Sequence, residues 1–162
     1  MSRGIRYEDL NAGPADHRPR GGKIPNSLPE RFDHYARKFE DLRFFAQLRA
    51  LRPLTLKNLF GGLGVYQRRR LILVFMQSPG DRAYKNIFCG FDIWDGILLP
   101  SNRRHHESLL KEFPFLQEHP VLGKWLYLPR TQRSFKKRAS VISKQIPFDR
   151  RFGTLVKAKK RS

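Results

Sequence analysis

The chain is short of several things. It has one cysteine, two methionines and two tryptophans in 162 residues, and only 14 Asp and Glu stand against 33 Lys and Arg. A single Cys89 excludes an intramolecular disulfide framework and a zinc site made of cysteines alone. No apolar run approaches the roughly 18 residues a membrane-crossing helix requires. The N-terminus has no apolar core of the kind that marks a secretory signal. Glu8, Asp9 and Asp16 argue against a transit peptide, because such peptides are poor in acids. The expectation is a cytoplasmic protein with no membrane partner.

What is present is positive charge. The formal net charge is +19. Residues 1–50 carry ten basic and seven acidic residues, whereas 51–162 carry 23 and seven, a net +16. Within 130–162 there are twelve basic residues and one acid, Asp149. A solvated face explains modest excesses; one this large points to a polyanion, DNA or RNA. The chain is 40% hydrophobic and 12% aromatic, enough for one core, which argues against a wholly disordered basic chain.

Residues 1–27, with Gly4, Gly13, Pro14, Gly21, Gly22 and Pro25 and no apolar period, read as a flexible basic arm. A single domain is expected over 28–148, and a basic tail over 149–162. The spacing of Phe32, Tyr35, Phe39, Leu42, Phe45 and Leu48 predicts one amphipathic helix over 29–51, which Pro53 ends. Leu54–Leu59 has an ambiguous period. Phe60, Gly61, Gly62 and Gly64 predict a sharp turn or a close backbone approach. Strands are expected over 71–76, 84–91, 93–99 and 121–128, with a turn at 78–81 and a turn or bulge at Asp95-Gly96. Two further helices are expected, over 102–113 and 132–146; Phe135, Ala139, Ile142 and Ile146 give the second an inner face. The fold class is α+β with a mainly antiparallel sheet, an N-terminal amphipathic helix, a short middle helix and a basic C-terminal helix.

The stretch from Pro53 through Thr55, Lys57, Leu59, Phe60, Gly61 and Gly62 to Tyr66 follows a helix and precedes apolar strands. In this it resembles the N-terminal domain of TfoX/Sxy competence regulators, which has a YjbR-like fold. That family has Met where Leu59 stands here. The resemblance covers roughly 40–146 and extends to Asp95–Leu99 before a short helix and to a strand ending at Pro129 before the last helix. It departs from the family at Gln67 to Arg70, where a tight turn is usual, and in a longer hairpin at 77–85. The second domain that follows in full-length competence regulators is not expected in this chain. The resemblance implies a non-enzymatic domain acting in transcription control or DNA uptake.

Chemistry-bearing patterns are weak. His105, His106 and Glu107 are adjacent, so they point to different faces of a helix and make a poor ligand set. Asp92, Asp95, Glu107 and Glu112 could form a nuclease-like carboxylate cluster, but turn and edge positions explain them more cheaply. The glycines lack the Lys-Ser/Thr of a phosphate loop. His34, His119 and Ser134 make no triad, and Cys89 reads as a buried thiol. Tyr66, Tyr84 and Trp125 stand near cations and could stack on bases. No catalytic residue, metal, cofactor or small-molecule substrate is expected. The phosphate-binding candidates are Arg68, Arg69, Arg70, Arg103, Arg104, Arg133, Lys136, Lys137, Lys144, Arg150, Arg151, Lys157, Lys159, Lys160 and Arg161. The leading expectation is a nucleic-acid-binding protein of the regulator type; the alternative is a structural RNA-binding subunit of a ribonucleoprotein particle such as a ribosome.

Overall fold

The computed structural model describes residues 24, 25 and 27–156. Residues 1–23 and 26 of the arm expected at the N-terminus and the four basic residues Lys157, Lys159, Lys160 and Arg161 lie outside them. The fold is α+β, with a seven-stranded antiparallel sheet ordered β1-β2-β3-β6-β8-β7 and β9 paired with β3. Its strands are β1 (Leu54–Leu59), β2 (Gly62–Gln67), β3 (Arg70–Gln77), β6 (Asp95–Leu99), β7 (Gln117–Glu118), β8 (Leu126–Pro129) and β9 (Thr154–Leu155). A separate small hairpin joins β4 (Ala83–Tyr84) to β5 (Ile87–Phe88).

The expected first helix is two elements. Helix α1 (Leu28–Lys38) starts at Ser27, whose hydroxyl accepts from the Glu30 amide, and ends at Phe39. A 3-10 helix then runs over Glu40–Ala50, kinked at Phe45. The reason is in the spacing. Phe39, Leu42, Phe45 and Leu48 recur every third residue and all are buried; a three-residue turn stacks such positions on one line, whereas an α-helix would rotate them apart. Helix α2 (His106–Glu112) follows a 3-10 turn over Arg103–His105. Helix α3 (Phe135–Ser143) begins later than expected, because Ser134 takes a left-handed conformation (φ 59°). Its inner residues Phe135, Ala139, Ile142 and, beyond its end, Ile146 are buried.

Two apolar clusters sandwich the sheet. One joins α1, the 3-10 helix and α3 to Leu56, Val65, Phe75, Ile97, Leu99 and Leu128. The other holds Leu59, Tyr66, Leu71, Val74, Met76, Leu98, Trp125 and Tyr127, with Phe91 and Trp94 packed against it. Leu54–Leu59 is a strand. A register shift sets Val65 opposite Leu73 and Tyr66 opposite Leu71, so Ile72 is the extra residue of a bulge, and both Ile72 and Leu73 belong to the first cluster.

Three strand expectations are corrected. Residues 84–91 form only a short hairpin, and 93 and 94 precede the strand proper, because buried Asp92 binds the Gly80 amide (3.1 Å) and Arg82 (3.0 Å) and bends the chain. Asp95-Gly96 is neither turn nor bulge but the start of β6. Residues 121–125 turn instead of extending, since the Val121 and Leu122 amides donate to Nδ1 of His119 (3.1 and 3.0 Å). Cys89 is half-exposed beside the small hairpin, not buried in a strand.

The glycine segment does both things expected of it. Gly61 sits at φ 81° in the β1–β2 turn. At Gly62 a Cβ would overlap the Met76 sulfur and the Phe75 carbonyl oxygen, and at Gly64 it would overlap Leu59. Phe60, itself at φ 26°, packs edge-on against Trp94.

The expected tail is folded as far as Val156. The segment 149–156 enters a notch where β3 and β6 diverge. Ser101 bridges Phe152, Gly153 donates to the Pro100 carbonyl (2.6 Å), Thr154 and Leu155 pair with Leu71 and Arg70, and the Val156 amide donates to Arg69 (2.8 Å). Phe152 is wholly buried.

Candidate nucleic-acid interface

In an antiparallel sheet one strand ends where its neighbour begins, so register decides which loops share an end. Leu54 pairs with Gln67, Gln67 with Arg70, and Leu99 with Leu126. The start of β1, the β2–β3 turn, the notch segment, the loop after β6 and the start of β8 therefore lie along one end. Exposed cations collect there: Arg52, Arg68, Arg69, Arg103, Arg104, Lys124 and Arg150. Arg103 reaches back over Gly123, where a Cβ would stand 2.9 Å from its Nη2. The carboxylates at this end are Glu107, Glu112, Glu118 and Asp149, with Glu112 bound by Arg151. Glu118 is held by His106 (2.7 Å) and Asp149 by Arg151 (2.6 Å).

Two expected phosphate ligands are occupied by the fold. Nη2 of Arg70 lies 2.5, 3.0 and 3.2 Å from the carbonyls of Phe152, Arg150 and Gly153, clasping the notch segment to β3. Arg151 is bound to Asp149, to Glu112 (2.7 Å) and to Ser108 (3.3 Å). Hydrogen bonds from Arg151 hold the Asp149 carboxyl down to about 2 and also lower that of Glu112; those carboxylates in turn raise Arg151. A guanidinium so engaged has little left to offer a phosphate.

The exposed residues Arg133, Lys136 and Lys137 lie elsewhere, near the start of α3, which follows the far end of β8. The eight residues of β3 put roughly 25 Å between the two ends of the sheet. Lys144, just after α3, is exposed, and Gln145 beside it binds Glu112 and Asp149 near the notch. The sequence-derived set thus divides: Arg68, Arg69, Arg103, Arg104, Lys144 and Arg150 come together, and Arg133, Lys136 and Lys137 stand apart. Arg52 and Lys124 are not among the sequence-derived candidates, although the place of Arg52 just before Pro53 and the strand start is a usable signal.

At the far end the charges are mixed. Arg130 bridges two buried carboxylates, Asp41 (2.8 Å) and Asp95 (3.0 Å), and reaches Gln77 (3.2 Å). Burial pushes the Asp41 carboxyl up to about 6, with Asp95 and Glu40 adding to the effect and Arg130 opposing it. A depression of about 610 Å³ opens beside this pair, lined also by Arg43, Phe44 and Lys136. Asp92, Asp95, Glu107 and Glu112 do not converge: Asp92 serves Arg82, Asp95 serves Arg130, Glu112 serves Arg151, and Glu107 is exposed. Among the described residues no group of three or more His, Cys, Asp or Glu could hold a metal ion. His106 is buried between Glu118 and the Lys124 carbonyl, while His105 contacts Arg104.

The aromatic residues expected near cations are mostly inside. Tyr66 and Trp125 are buried, with Lys57 over the Tyr66 ring, and Tyr84 is half-buried under Lys85. Among the described residues no helix is long and apolar enough to cross a membrane. Compared with protein-family models, curated proteins and solved structures, the chain matches none.

Proposed function

We propose that this is a non-enzymatic nucleic-acid-binding protein of the cytoplasm that holds the phosphate backbone along the cationic end of its sheet. The observation that carries the reading is the gathering of Arg52, Arg68, Arg69, Arg103, Arg104, Lys124 and Arg150 on loops that register brings to one end. These side chains are exposed, and the neighbouring Glu118 and Asp149 are held by His106 and Arg151. Such a rim neutralises phosphates without reading bases, so affinity is high and sequence preference weak. The resemblance to TfoX N-terminal domains supports placing the function in transcription control or DNA uptake.

The test is a salt titration of binding to a polynucleotide. Neutralising about five phosphates gives a slope of log K against log salt near −4. Reversing Arg68, Arg69 and Arg104 to Glu flattens it. A slope near zero for the unaltered protein refutes the proposal.

A further inference from the structure

Among the described residues, the largest exposed apolar side chains are Phe148, at 76% of its full exposure, and Phe88, at 72%. Phe88 sits on the small hairpin beyond β3 and β6, away from the cationic end. Phe148 is at that end. It closes a 3-10 turn (Ile146–Phe148) in which Ile146 and Pro147 are buried, so the turn is anchored while its third residue faces out. Lys144 and Arg150, four residues before and two after, are both exposed. The carboxylate between Phe148 and Arg150, that of Asp149, turns inward to Arg151 (2.6 Å) and Gln145 (2.7 Å). The result is an exposed phenyl ring on an anchored turn, with exposed cations four residues before it and two after.

We infer that Phe148 is a stacking platform for a nucleobase, and that the partner of this surface is single-stranded polynucleotide. The inference rests on the polyanion reading above and adds the class of strand. A duplex keeps its base faces covered by neighbouring bases; a single strand offers them. An exposed aromatic residue between cations takes a base on its face while the cations take the phosphates on either side. Sequence preference is weak, because every base has such a face.

The experiment measures anisotropy of labelled 20-mers of oligo(dT) and oligo(U), and of a 20-base-pair DNA duplex, with the full chain. The variants are Phe148→Ala, Phe148→Leu and Phe148→Trp. Each is expected to melt with the unaltered protein, since the ring is outside the core. Loss of one stacked base lowers single-strand affinity by roughly fivefold to a hundredfold in the Ala and Leu variants. The Trp variant keeps it, duplex binding moves less than twofold, and the salt slope is unchanged. Unchanged single-strand affinity in Phe148→Ala with a steep slope overturns the platform and leaves the polyanion reading standing. Equal loss on duplex and single strand, full single-strand affinity of Phe148→Leu, or a dimer in sedimentation that Phe148→Ala abolishes also overturns it. Failure of the unaltered protein to bind any of the three overturns both.

Discussion

The ring of His119 donates from Nε2 to the Ile93 carbonyl at 2.6 Å. Its Nδ1 accepts the Val121 and Leu122 amides, so the buried imidazole is neutral and pins two loops to each other. Burial lowers its pKa from 6.5 to about 4.

That relationship sets a pH dependence. Below pH 6.5 an unfolded His119 takes a proton that the folded protein refuses until about pH 4, so its contribution is complete above 6.5 and is lost as pH falls through that window. Asp41 works the other way: its carboxyl keeps a proton up to about pH 6 when folded and only to 3.8 when unfolded, so its contribution is present at low pH and lost as pH rises to 6. The two slopes oppose each other between about pH 4 and 6. Asp41→Asn is therefore expected to make melting temperature fall more steeply on acidification than in the unaltered protein. A proton-NMR titration that shows His119 protonating near pH 6.5 contradicts this.

Arg69 and Arg70 are neighbours with opposite roles. Arg70→Ala removes a charged donor from three carbonyls and is expected to cost about 1.5–3 kcal/mol, a drop of roughly 3–10 °C in melting temperature. Arg69→Ala is expected to leave melting within a degree or two and to flatten the salt slope by roughly 0.7–0.9. Calorimetry and binding on both variants separate the roles; a stable Arg70→Ala protein with weakened binding reverses the assignment.

Truncation at two points distinguishes charge from fold. Ending the chain after Val156 deletes Lys157, Lys159, Lys160 and Arg161, leaves every described pairing intact, and is expected to flatten the salt slope by up to about 3. Ending it after Phe148 removes Phe152 from the core, a loss of at least about 3–5 kcal/mol, and is expected to unfold or loosen the domain. Equal melting of the two truncated chains contradicts the notch.

The glycines of the β1–β2 segment are expected to act on stability alone. Gly62→Val drives a side chain into Met76 and the Phe75 carbonyl, at about 1–3 kcal/mol. Gly61→Val meets open space but a left-handed backbone, at about 1–2 kcal/mol. Thermal unfolding alongside binding checks this; unchanged melting with lost affinity would make the segment a ligand loop.

The parts of the fold legible in the sequence were those with a local signature. The inner face of α3 follows from the spacing of Phe135, Ala139, Ile142 and Ile146, and the close approach at Gly62 from the glycines themselves. What escaped depends on partners distant in sequence. Arg70 reads as one of three equivalent arginines until Phe152 and Gly153 arrive beside it, some 80 residues later. The turn at 121–125 is invisible without the His119 ring nitrogen that caps it. The break at Phe39 was written in the three-residue spacing that follows it, which mimics half of an α-helical pattern. Phe148 was hidden by a basic context that drew attention to charge, while the buried Ile146 and Pro147 beside it decide which way the ring faces.

The notch between β3 and β6 has a consequence during synthesis. Leu71 finds its partner on one side in Thr154, 83 residues further along the chain. A nascent chain that has emerged only through Phe148 carries β3 with the start of that edge open and the Phe152 site unfilled. The ordering of this edge therefore waits until Val156 has cleared the exit tunnel, and a stall or a premature stop before that point leaves an unpaired strand edge exposed to neighbouring chains.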